Sequence, residues 1–313
     1  MPAPPSPLPF AGHAADVPQE APAEPPAGCP FHHGTAGRVT SARATPPSPP
    51  GFYCGPGTDG GVKLPGHRTS ARDRAAAETV FGWLTQRVDA GRHPCVAARS
   101  AFNSTSERFG LYGPPADEAT TAGLAADLRR FAQGTGDEED EDHAPAADAS
   151  DFATFIAVFD APGRPDADPD RYARAADPEL AFETDLWAQL SALHAVDEAD
   201  WDPATSPDPT HKDFSFSFAG RSFYIIGMHP RASRPARRFP RPALVFNLHA
   251  QFERLRETGK YGKMRDVIRA RDIQRTGSMN PMLADFGKRS EAVQYSGRAV
   301  GKDWRCPFGH GGG

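Results

Sequence analysis

The loop GMHPRASRPARRF, residues 227–239, gathers His229, Ser233 and the arginines Arg231, Arg234, Arg237 and Arg238 between two apolar runs. Pro230, Pro235 and Pro240 keep it from becoming a helix. Arginine presents a rigid fork suited to carboxylate or phosphate. Four such groups cannot all be buried without partners.

Three readings of the loop compete. It is a solvated basic loop, or one paired with the chain's own acids. It is a phosphate or nucleic-acid site, although no aromatic residues for base stacking are interleaved with the arginines. Or it holds a carboxylate-bearing cofactor, of which heme is the natural case because two propionates need cationic neighbours.

Cys95 offers a second chemistry. It follows Pro94 at the expected first turn of a helix, where free amides and the helix dipole favour a thiolate. The small residues after it, VAARSA, leave room for a flat group against the backbone. The simpler alternative is a buried small hydrophobe. GCPFHHG at 28–34 is echoed by RCPFGHG at 305–311. Cys-Pro beside histidine occurs at thiolate metal contacts, and Trp304 would pin Cys306 to the body. Neither copy has a Cys-x-x-Cys zinc spacing.

These residues depend on the elements around them. The apolar spacing of Ala75, Thr79, Val80, Trp83, Leu84 and Val88 predicts a helix over 69–90. Further helices are expected from Pro94, over 116–133, over 180–201, in HAQFERLRETG and in MRDVIRARDIQRTG. DFATFIAVFD reads as a buried strand, FSFSFAGRSFYIIGM as a hairpin about Ala219-Gly220, and PALVFNL as another strand. The strands ending at His229 and His249 are too closely linked for a crossover, so they should be antiparallel. Their histidines then lie roughly 20 Å apart, and one metal ion cannot use both. His249, opening a helix, reads as a packing residue. The pattern is α+β, a single domain with a mainly antiparallel sheet packed with helices.

Sixteen of the 33 prolines fall in residues 1–66, which read as a disordered lead. The folded domain is expected at 67–313. No apolar run is long enough to span a bilayer and no export signal is evident, so a cytoplasmic protein with reduced Cys29, Cys54, Cys95 and Cys306 is expected. Residues 201–313 hold 20 Lys and Arg against 10 Asp and Glu, although the chain carries −5 overall. The basic last part and the acidic first part, with its DEEDED run at 137–142, suggest internal complementarity as much as an anionic partner.

MHPRASRPARRFPRPALVFNLHAQFERLR, VIRARDIQRTGSMNPMLADFG and QYSGRAVGKDWRCPF together resemble the YqcI/YcgG family, and HPCVAARSAF with LAADLRRFA is similar to its first half. The resemblance covers about residues 80 to 308. It implies a heme-dependent monooxygenase of the guanidino N-hydroxylase type, using O2 with a reductant, or peroxide, on an arginine-like small molecule. Heme b is the implied cofactor, with Cys95 as axial ligand and Cys306 as the alternative. His229 is implied as the ligand if the iron is histidine-bound, or as a distal proton-handling residue. Ser233, Arg234 and Arg237 are implied at the propionates. Asp213, Glu253, Asp266 and Asp285 are open candidates for the substrate's guanidinium. The runner-up is a carrier or sensor of heme or another anion without turnover. A cysteine hydrolase built on Cys95 is disfavoured because no G-x-C-x-G elbow is present. No nucleic acid or membrane partner is expected; a sheet with an open edge is compatible with a homodimer.

Overall fold

The computed structural model describes residues 51–313 apart from 58, 69, 90–95, 135–151, 279, 281, 283–285 and 310–313. A short antiparallel ribbon joins β1 (Gly55–Pro56) to β2 (Val62–Lys63). The main sheet contains β3 (Glu107–Leu111), β4 (Thr154–Val158), β5 (Phe216–Phe218), β6 (Arg221–Met228) and β7 (Ala243–Leu248), in the order β3-β4-β7-β6-β5. Only β3 and β4 are parallel; the other three pairings are antiparallel. Among the described residues seven α-helices accompany them: α1 (Ala71–Asp89), α2 (Val96–Asn103), α3 (Glu118–Gln133), α4 (Pro178–Ala195), α5 (His249–Glu257), α6 (Lys260–Thr276) and α7 (Ala292–Tyr295). The α+β class with a mainly antiparallel sheet is as expected.

Local chemistry explains the boundaries. Asp117 accepts from the amides of Ala119 and Thr120 to start α3, and Gly134, in the left-handed region, ends it. Asp177 caps α4 in the same way, with Pro178 at its first turn. The β5–β6 turn is Ala219-Gly220, both at positive φ (53° and 71°), the backbone that a two-residue hairpin requires.

Alternation along the strands divides the sheet into two faces. Phe155, Phe223, Ile225, Leu244, Phe246 and Leu248 enter a large core with α3, α4 and the C-terminal segment. Phe109, Leu111, Ile156, Val158 and Ala243 enter a second core under α1. Each large apolar side chain buried this way contributes about 1.5–3 kcal/mol. Gly227 faces the first core so closely that a Cβ there would meet Phe182 at 2.6 Å and the Tyr295 carbonyl at 2.8 Å.

One expectation is corrected. The body does not begin near residue 67: Phe52, Cys54 and Val62 are buried in the second core, and Cys54 bridges to Phe109. Asp127 fastens this segment by accepting from the Phe52 amide (2.7 Å) and from the Tyr112 hydroxyl. The C-terminal segment is mostly irregular apart from the four-residue α7, and its Phe308 packs with its ring centroid 6.1 Å from that of Trp187.

Candidate functional site

The second face of the sheet is not fully covered by α1. Beyond it a cavity of about 260 Å³ lies between the strands and helices α1, α2, α5 and α6. Tyr224, Ile226 and Met228 of β6, with Val245 and Asn247 of β7, form its sheet wall. Ala98 and Phe102 bring α2 to it, and Met264 and Ile268 bring α6. The apolar wall carries an uneven set of charges. Arg87, Arg234, Arg237, Arg256, Arg265 and Arg269 line it against two carboxyls, Asp272 and Glu291. An apolar cleft with a surplus of guanidinium groups suits an apolar molecule bearing acid groups.

The arginine loop closes one end of this cavity, and most of its charge is already committed. Arg237, although only 8% exposed, donates to the carbonyls of Gly227 (3.0 Å), Tyr295 (3.0 Å) and Gln294 (2.9 Å). Arg234 pairs with Asp272 at 2.6 Å and also donates to the Thr276 hydroxyl and the Ser278 carbonyl. Arg238 donates to the carbonyls of Ala232 and Ser233. Arg87 reaches from α1 to the carbonyls of Ala236 and Arg238. The loop is thus tied by its own backbone and by α6. Sequence reasoning could not see this, because carbonyl partners carry no residue signature.

The residues singled out from sequence separate here. Arg234 and Arg237 line the cavity with their guanidinium groups engaged as above. Ser233 is exposed and does not line it; its amide donates to Glu179 at 2.9 Å. His229 belongs to the opposite face. Its ring stacks on Phe182 of α4, centroids 4.4 Å apart, and meets Tyr172 edge-on at 5.6 Å. Burial pushes it down to about 4, so it is neutral at physiological pH, and its buried Nδ1 has no hydrogen-bond partner among the described residues. Next to Met228 at the end of the alternating β6, His229 thus turns to the other face and does not line this cavity. Cys306 also packs against the first core, and burial raises its thiol to about 12. It is a protonated thiol on the far side of the sheet. Cys95 lies outside the described residues, one position before Val96 at the start of α2.

The carboxylate candidates also resolve. Asp213 pairs with Lys212 at 2.8 Å, and Asp266 is an exposed partner of Arg265. Glu253 is shared by Arg256 and His249, the latter at 3.0 Å. None of these three lines the cavity, and Asp285 lies outside the described residues. His249 is buried at the start of α5 against Phe286, centroids 4.4 Å apart. As expected from the antiparallel pairing of β6 and β7, it and His229 sit at opposite ends of the two strands.

Glu291 is the functional candidate that sequence reasoning missed. It is 5% exposed and lines the cavity from the residue preceding α7. The Ser215 hydroxyl donates to its Oε2 at 2.9 Å. Burial pushes its pKa up to about 8, opposed by Ser215 and Arg256. The preceding sequence, GKRSEAVQY, has no periodicity that would have announced a buried acid.

A model of the YqcI/YcgG family matches residues 84–309. The chain belongs to that family. The matched stretch takes in α2, the whole main sheet, the arginine loop and Glu291, so family membership covers the cavity and most of its walls. A Bacillus subtilis (strain 168) protein named Uncharacterized protein YcgG is 26% identical over 228 residues, covering 71% of this chain and 83% of that protein. No solved structure matches the chain. Among the described residues no helix is long and apolar enough to cross a membrane.

Proposed function

We propose that this YqcI/YcgG protein is a heme-dependent oxidoreductase that hydroxylates a guanidino or amino nitrogen of an arginine-like small molecule. The observation that carries the proposal is the cavity's composition: an apolar sheet wall with six arginines against two carboxyls. Iron protoporphyrin matches that pattern, with a flat apolar body and two acid groups. Arg234 and Arg237 brace the loop, and the propionates are assigned to two further cavity-lining arginines of α6, Arg269 and Arg265, the latter also meeting the exposed Asp266 at 3.0 Å.

The donor set favours Cys95 as axial ligand. Neither His229 nor Cys306 lines the cavity, and its described lining residues include no cysteine or histidine. Cys95 immediately precedes the helix whose Ala98 and Phe102 do line it. When bound, a thiolate-ligated heme supplies activation of O2 or peroxide for oxygen transfer. The chain's own part is to exclude water with Ile226, Val245, Met264 and Ile268, to balance acid groups with α6, and to hold a proton on Glu291.

Incubating the purified chain with L-arginine, O2 and a reductant, or with peroxide, tests the turnover. An N-hydroxylated product by mass spectrometry is expected. A chain that has a Soret band but gives no product with arginine, agmatine or lysine would instead be a carrier or sensor of heme.

A further inference from the structure

Asp272 and Glu291 both line the cavity, but among the described residues only Asp272 of the two is ion-paired, to Arg234 at 2.6 Å. Glu253 next to the cavity is satisfied by Arg256 and His249. Glu291 alone is a buried cavity carboxyl with no ion-pair partner among the described residues. Its hydrogen-bond partners are the neutral hydroxyls of Ser215 and Tyr295. The charged and titratable groups facing it are Arg256 and Glu253 from α5 and Tyr295 from α7. Arg256 is occupied, bonded to Glu253 and placed over the rings of Tyr261 and Phe286.

We infer that Glu291 is the anchor for a cationic group of the cavity's ligand, accepting an ammonium or guanidinium in an ion pair. An ionised carboxylate buried without a cation is costly, so such a group stays protonated until a cation arrives. The raised pKa, about 8, fits that state. Binding then expels a proton. Affinity for a cation rises by about tenfold per pH unit below the free-state pKa and levels off above it. This inference rests on the proposed reading for the identity of the natural substrate, but not for the cation site itself.

The test is calorimetric titration of the full chain with n-butylguanidinium, a monocation with an apolar tail, from about pH 6 to about pH 9. The Soret absorbance of each sample is recorded alongside, so that absence of cofactor and absence of the cation site are read separately. The wild-type chain should bind more tightly as pH rises, releasing close to one proton at low pH. Glu291→Gln, which keeps the shape and the Ser215 bond, should weaken binding at least tenfold at high pH and flatten the pH dependence. Ser215→Ala keeps the carboxyl but removes one of its two hydroxyl donors, and should move the midpoint to higher pH while binding persists. Hexanoate, an anion of similar length, should be indifferent to Glu291→Gln. If folded Glu291→Gln binds n-butylguanidinium as the wild type does, or if wild-type affinity does not change with pH, the inference is overturned.

Discussion

Met228 and His229 are consecutive residues on opposite faces of one sheet. Met228 lines the cavity, whereas the His229 ring is stacked 4.4 Å from Phe182 beneath α4. A histidine that sequence places beside a basic ligand loop is thereby made a core aromatic. His229→Ala should lower stability by about 2–4 kcal/mol through the void it leaves and leave the absorption spectrum of bound heme unchanged. Denaturant unfolding and the visible spectrum of the same sample check this; a lost Soret band with stability intact would place His229 at the cofactor after all.

Arg237 is predicted to be structural and specific to arginine. Its fork satisfies three buried carbonyls, one from β6 and two from α7. Arg237→Lys offers one ammonium to three separated acceptors, so both it and Arg237→Ala should cost on the order of 3 kcal/mol or more. The urea midpoint is the measurement, and equal midpoints for wild type and Arg237→Lys would contradict the assignment.

Three buried acids set the pH dependence of stability. Burial raises Asp127 and Glu107 to about 7 and Glu291 to about 8. A group whose folded pKa lies above its unfolded one stabilises fully below the unfolded value and loses that contribution as pH rises through the folded value. Stability should therefore fall most clearly between about pH 6.5 and pH 8, above the range in which the lowered pKa of His229 acts in the opposite sense. The wild-type urea midpoint is expected to be lower at the alkaline end of that window than at its acid end, with Glu291→Gln reducing the difference. A midpoint that rises over the same range would show that these acids are ionised in the folded chain.

Filling the cavity separates binding from folding. Ile226 is only half-buried and stands on the sheet wall, so Ile226→Trp projects into open space rather than into a packed core. Heme retention on a desalting column should drop at least tenfold while the unfolding midpoint stays within about 1 kcal/mol of wild type. Undiminished retention would place the ligand elsewhere.

Much of the scaffold is legible in sequence because its signals are local. The helical spacing of α1 and α4 and the turn-forming Ala219-Gly220 each announce their element. β3 is not legible: ERFGL carries two charged residues and a glycine, yet all five positions are buried, because Cys54 and α1 cover that edge from far away in the chain. The fastening of Phe52 to Asp127 spans 75 residues and leaves no pattern in a Pro-rich segment. The site divides in the same way. The concentration of arginines is visible, but their partners are mainly backbone oxygens, and Glu291 is a functional candidate only because folding buries it beside empty space.

The visible spectrum of the full chain, expressed with adequate heme supply, tests the central claim most directly. A Soret band, with a reduced carbon monoxide complex of the thiolate type that disappears in Cys95→Ala and survives in Cys306→Ala, is the expected result. Purified wild-type protein with no Soret band, even after incubation with hemin, would contradict the assignment of the arginine-lined cavity to iron protoporphyrin.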